Sequence, residues 1–228
     1  MQRLFLGGVF AVALAIGSYF ALIFGGPETG DSAGVSIADF NPVSAAQAQE
    51  IDTSAVIEMT LGDPEAPVTL IEYASFTCPH CANFHSGAFK ELKANYINTG
   101  KVYFIYREVY FDRYGLWAGM VARCGGAERY FGIVDLLYTG QSEWTAGGEP
   151  ASIAEGLRKI GRVAGLGEDE LNACLQDANL AQSMVAVYQE NADRDEVRAT
   201  PSFIINGEKY SNMSYADFSE TIDSLIEG

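Results

Sequence analysis

Cys78-Pro79-His80-Cys81 sets two thiols at i and i+3, behind an apolar strand-like run from Val68 to Ala74 and ahead of a stretch that reads as a helix, Ala82 to Tyr96. Thiols at this spacing can close a small disulfide. At a helix start, unpaired backbone N–H groups and the helix dipole favour a thiolate on the first of them. Pro79 suits the first helical turn, because its missing N–H would have no helical partner there. The chemistry on offer is a dithiol/disulfide couple working by thiolate attack and a mixed disulfide.

Other uses of the same residues compete. A C-x-x-C is also half of a zinc site, which needs two more ligands. The chain has two histidines, His80 and His85, and Cys124 and Cys174 stand apart from each other. Cys81 and His85 share a helix face and can bind a metal with Cys78, but that set is one ligand short. No metal and no cofactor is expected. A purely structural bond across so short a loop gains little chain entropy.

The elements that must hold the couple follow from periodicity and punctuation. A first strand is expected over about Ala55 to Thr60, ended by Gly62-Asp63-Pro64, then the strand Val68 to Ala74, the dithiol helix, and a strand Lys101 to Arg107 rich in aromatic and β-branched residues. Strand–helix–strand implies a parallel pair. From about Gly115 to Asn191 the period changes to near 3.6. Helices are expected over Leu116–Cys124, Ala127–Tyr138, Ser152–Ala164, Glu168–Gln176 and Ala178–Ala192. Trp117 and Trp144 fall in this part as core or lid residues. The chain then returns to a hairpin, Ser202 to Ile205 and Glu208 to Tyr210 around Asn206-Gly207, and a last helix from Ser214 to Ile226. The fold class is α/β: a mixed sheet with an inserted all-helical domain at about residues 113–195 of a unit spanning 51–228.

Upstream, Leu4 to Phe24 is uncharged and largely apolar, and as a helix it would rise about 31 Å, the hydrocarbon thickness of a bilayer. Arg3 precedes it and no Lys or Arg follows before Lys90, which places the remainder outside the cytoplasm. Residues 1–26 read as a signal-anchor or a signal peptide. Ala46-Gln47-Ala48 fits a cleavage pattern but lies 24 residues past Phe24, which favours the anchor. Residues 27–50 read as a flexible tether with no evident dimerisation segment, and a monomer is expected. The net charge of −16 disfavours nucleic acid and anionic membrane surfaces as partners.

Phe76-Thr77-Cys78-Pro79-His80-Cys81, the long helical insertion and Ala199-Thr200-Pro201-Ser202-Phe203 together resemble the DsbA family of extracytoplasmic thiol oxidases, over about residues 50–228. The resemblance implies a thioredoxin-like fold, with Cys78 as exposed nucleophile and Cys81 as buried resolving thiol. His80 is then a group that favours the Cys78 thiolate, the alternative being a solvated loop histidine. Pro201 resembles the family's cis-proline facing the dithiol, the alternative being a trans proline that opens a strand. In the cis geometry Thr200 would pair through its backbone with an extended substrate, beside Pro79. Glu72 matches the buried acid six residues before the nucleophile and would exchange a proton with Cys81; its alternative is an edge-strand carboxylate facing water. In an oxidising compartment Cys124 and Cys174 are expected to form a second, structural disulfide, and some family members carry such a bond.

The function expected on this resemblance is donation of the Cys78–Cys81 disulfide to exported, reduced proteins, followed by reoxidation by a membrane quinone-linked partner. The alternatives are a disulfide isomerase or reductase of the same fold, or a non-catalytic chaperone-like binding module.

Overall fold

The computed structural model describes residues 51–228. The expected span at residues 4–24 and the tether lie outside that range; among the described residues no helix is long and apolar enough to cross a membrane. The elements are β1 (Met59–Leu61), β2 (Val68–Ala74), α1 (Pro79–Ser86), α2 (Ala88–Leu92), β3 (Val102–Glu108), α3 (Arg113–Cys124), α4 (Gly126–Thr139), α5 (Gln141–Thr145), α6 (Pro150–Val163), α7 (Glu168–Leu175), α8 (Ala178–Arg194), β4 (Ser202–Ile205), β5 (Glu208–Ser211) and α9 (Tyr215–Glu227). The sheet order is β1-β3-β2-β4-β5. β2 and β3 run parallel, with Leu70 beside Phe104 and Glu72 beside Tyr106, and the other pairs are antiparallel. The α/β class and the helical insertion expected from the sequence are both present.

Alternation along the strands divides the core. Leu70, Glu72 and Ala74 of β2 share one face with Phe104 and Tyr106 of β3 and Phe203 of β4, all buried. Phe84 of α1 lies against Phe203 and against Phe218 of α9, and Phe89 of α2 against Phe104. The helix that carries the dithiol is therefore clamped to the sheet by rings, each contributing about 1.5–3 kcal/mol on full burial. Tyr73 and Val109 on the other face join Ala192 and Val197 in a smaller cluster at the end of α8.

Local chemistry sets the helix ends. The Asp112 carboxylate accepts from the Tyr114 and Gly115 N–H groups and starts α3, and Ser214 with Asp217 forms a capping box at α9. Pro150 opens α6. Three details differ from expectation. The single helix expected over Ala82–Tyr96 begins at Pro79 and is broken at Gly87, whose φ of −119° and ψ of −101° leave the helical region; beyond α2 it widens into a π-helical turn, Lys93–Ile97. β1 starts only at Met59, because Arg123 Nη1 donates to the Ile57 carbonyl and the Glu58 carboxylate accepts from Arg107, so side chains from elsewhere hold this segment. The short α5 was not anticipated.

Candidate active site

Ser75, Phe76 and Thr77 carry the chain from the end of β2 into α1. Cys78 is the N-cap of α1, with extended backbone (φ −83°, ψ 118°), and Pro79 is the first helical residue. Its sulfur therefore faces backbone N–H groups of the first turn that have no helical acceptor. Both thiols are free: Cys78 is half-buried and Cys81 is buried. The Cys78 sulfur lies 3.4 Å from the Thr200 carbonyl, and the Thr200–Pro201 peptide is cis, so the residues flanking that bond stand opposite the nucleophile.

The two thiols are pushed in opposite directions. Hydrogen bonding from the Cys81 thiol is the largest influence on Cys78; partial burial opposes it, and the Thr200 side chain and the backbone N–H groups of Cys81 and His80 add to it, lowering the Cys78 thiol to about 5. Cys81 is pushed far up, first by burial, then by its bond to Cys78 and by the negative charge of Glu72. At neutral pH the pair is a Cys78 thiolate beside a protonated Cys81. His80 contributes through its backbone; its side chain is exposed.

Glu72 sits in the middle of the sheet and is wholly buried, so the edge-strand alternative does not apply. Both of its carboxylate oxygens face Nε2 of His85, at 3.1 and 3.0 Å. That nitrogen is thereby committed, and among the described residues no group of three or more His, Cys, Asp or Glu side chains is arranged to hold a metal.

The insertion holds the dithiol turn from two sides. Gln141, the first residue of α5, is buried, and its amide donates to the carbonyls of Phe76 (2.8 Å) and Cys78 (3.0 Å). Thr77 donates its hydroxyl to the Asp112 carboxylate at 2.6 Å, whose other oxygen caps α3. Neither contact was anticipated. Gln141 follows Gly140 in an unremarkable polar stretch, and nothing in its spacing marks it. Farther out, Cys124 at the end of α3 is bonded to Cys174 in α7, with the Cα atoms 5.9 Å apart. Trp144 is buried, with its indole N–H on the Leu137 carbonyl, and Trp117 is half-buried.

The family described as thioredoxin matches residues 54–224. A Rickettsia bellii protein named as a candidate protein-disulfide oxidoreductase is 33% identical over 171 residues, which are 75% of this chain and 65% of the relative. The chain thus spans less than two thirds of that relative's length. The crystal structure of Wolbachia pipientis α-DsbA1 is 30% identical, with a TM-score of 0.67 over 74% of this chain and 90% of that one. A protein-disulfide isomerase of Novosphingobium aromaticivorans, 23% identical, shares the fold at a TM-score of 0.68 over 75% of this chain and 98% of its own.

Proposed function

This chain belongs to the thioredoxin-like DsbA family of protein-disulfide oxidoreductases, and from that premise we propose that it oxidises the thiols of exported proteins with its Cys78–Cys81 disulfide. The observation that carries the reading is the split of the two thiols, Cys78 held down to about 5 and Cys81 held protonated. A thiolate stabilised in the reduced protein stabilises the dithiol, so the disulfide form passes its oxidation on.

A substrate thiolate attacks Cys78 Sγ, the Cys78–Cys81 bond breaks, and Cys81 leaves and takes a proton. A second substrate thiolate attacks the substrate sulfur of the mixed disulfide, and Cys78 leaves as the thiolate. The substrate gives up two electrons and gains a disulfide; the protein keeps them as a dithiol. The Thr200–Pro201 segment is the docking strand in this scheme, with the Thr200 backbone pairing to an extended chain beside Pro79. Glu72 exchanges the proton of Cys81. An extracytoplasmic setting, exported proteins as substrates and a membrane quinone-linked reoxidant complete the proposal; the apolar run at residues 4–24 and the Cys124–Cys174 bond support the setting.

Equilibration with glutathione tests the direction. The Cys78–Cys81 couple is expected well above the about −270 mV of a reducing thioredoxin couple. A value at or below that level would make the protein a reductase. Cys81→Ala is expected to accumulate mixed disulfides through Cys78, read on non-reducing gels; capture of no exported protein would remove this route.

A further inference from the structure

We infer that His85 is a positioning residue for the thiol exchange proposed above, holding Glu72 under Cys81 and forming the outer half of the path by which the Cys81 proton reaches water. The inference rests on that exchange reading and extends it to a residue outside the dithiol turn.

Three placements carry it. Glu72 has no accessible surface and lies between Tyr106 of β3 and Phe203 of β4. A buried carboxylate of that kind needs a partner, and its ion-pair partner among the described residues is His85. His85 stands one helical turn after Cys81, and the two share the buried side of α1 with Phe84. The His85 side chain keeps 4% of its surface accessible where that of Glu72 keeps none, so of the two it is the one that reaches the surface.

Rings from three elements enclose the imidazole. It stacks on Tyr138 of α4 at 4.3 Å between centroids, meets Tyr106 of β3 edge-on at 5.8 Å, and lies 4.6 Å from Phe89 of α2. The facing titratable groups are Cys81 from α1 and the two phenols. Tyr106 and Tyr138 are hydrogen-bonded to each other at 2.7 Å, and burial holds both in the neutral form. Histidine is the side chain suited to take and release a proton between about pH 5 and 8.

When Cys81 resolves a mixed disulfide on Cys78, its thiol proton passes to the Glu72 carboxylate as its sulfur attacks Cys78 Sγ. The bond from Cys78 to the bound thiol breaks, and that thiol leaves as a thiolate. The imidazolium, whose Nε2–H already points at Glu72, gives up a proton from Nδ1, the nitrogen turned away from Glu72, so the buried pair stays neutral as a carboxylic acid beside a neutral imidazole. No electron leaves the sulfur system.

The reduced protein treated with the aromatic disulfide DTNB separates the steps: attack by Cys78 releases a first coloured thiolate, and attack by Cys81 a second. In His85→Gln, which keeps a neutral donor for Glu72, the first release is expected at the wild-type rate. The second is expected to slow by about 100-fold near neutrality, the low end for a positioned proton-transfer group, and to lose the wild-type change of rate between about pH 5 and 8. Glu72→Gln is expected to lose the same feature, and the double variant to be no slower than Glu72→Gln alone. A second release at the wild-type rate in His85→Gln would overturn the relay. So would a uniformly slowed one with the wild-type pH shape, because the imidazole would then only hold the carboxylate in place. If His85→Gln does not fold, the pH profile of Glu72→Gln decides, and the wild-type profile there overturns the relay. Absence of either release from the wild type would defeat the exchange reading itself, and the relay with it.

Discussion

Acidifying the reduced domain from about pH 8 to about pH 5 is expected to remove about 2 kcal/mol of stability, a loss the oxidised domain does not show. Cys78 titrates at about 5 in the folded reduced protein, against about 8.5 in an unfolded chain. An acid whose folded value is depressed contributes fully above the unfolded value and loses that contribution as the pH falls through the folded one. Across this window the slope of about 1.4 kcal/mol per unit gives at most about 4 kcal/mol. The sulfur is half-buried and its field is screened by water, which reduces the figure to about half. Cys81, raised above its ordinary value, is protonated in both states below about pH 8 and does not oppose the trend. In the disulfide form neither sulfur titrates. Urea unfolding of both forms at the two pH values measures the difference; parallel pH curves would mean that the thiolate is not stabilised. The same free energy sets the direction of the couple, because whatever stabilises the dithiol makes the disulfide the better oxidant.

What the sequence disclosed was chemistry held within short spans. The dithiol, its proline and its position between strand and helix are local, and the structure keeps them as one N-cap and one helical turn. The hairpin at Asn206-Gly207 is local too, with Asn206 at a φ of 48° and Gly207 at 89°, where asparagine and glycine are the residues that fit. The insertion was legible as a change of period from 2 to 3.6. Hidden from it were contacts across long separations that carry no pattern: Gln141 to the Cys78 carbonyl, 63 residues apart, and Thr77 to Asp112, 35 apart. The break at Gly87 went unread because a glycine inside a helical pattern is usually tolerated. His85 stood on the right helix face beside Cys81, but the one use its spacing suggested was as a ligand in an incomplete metal set. Only the strand register, which sets Glu72 under that face, decides between a ligand and a carboxylate's partner.

Replacing Arg123 by Met is expected to cost about 3–5 kcal/mol, because it leaves a buried carboxylate without its counter-charge. Arg123 of α3 makes a bidentate pair with Glu108, the last residue of β3, through Nε at 2.8 Å and Nη2 at 2.7 Å, and the two side chains are 7% and 5% exposed. Tyr130 of α4 adds a hydroxyl donor to the same carboxylate at 2.7 Å, and Arg123 Nη1 holds the Ile57 carbonyl at 3.0 Å. One guanidinium thus joins the sheet, the insertion and the segment entering β1. The pair need not be a large net source of stability, since the desolvation of two charges offsets much of their attraction. Its removal by halves is what costs. Adding Glu108→Leu to Arg123→Met is therefore expected to recover most of the loss, leaving the Ile57 carbonyl and the Tyr130 hydroxyl as the unmet groups. Denaturant unfolding of both variants reads the difference. A single-variant loss under about 1 kcal/mol would show that water reaches the carboxylate once the arginine is gone. The connection reaches the chemistry as well. α3 carries the Asp112 cap that Thr77 binds beside Cys78, so a loosened α3 also frees the turn that holds the nucleophile.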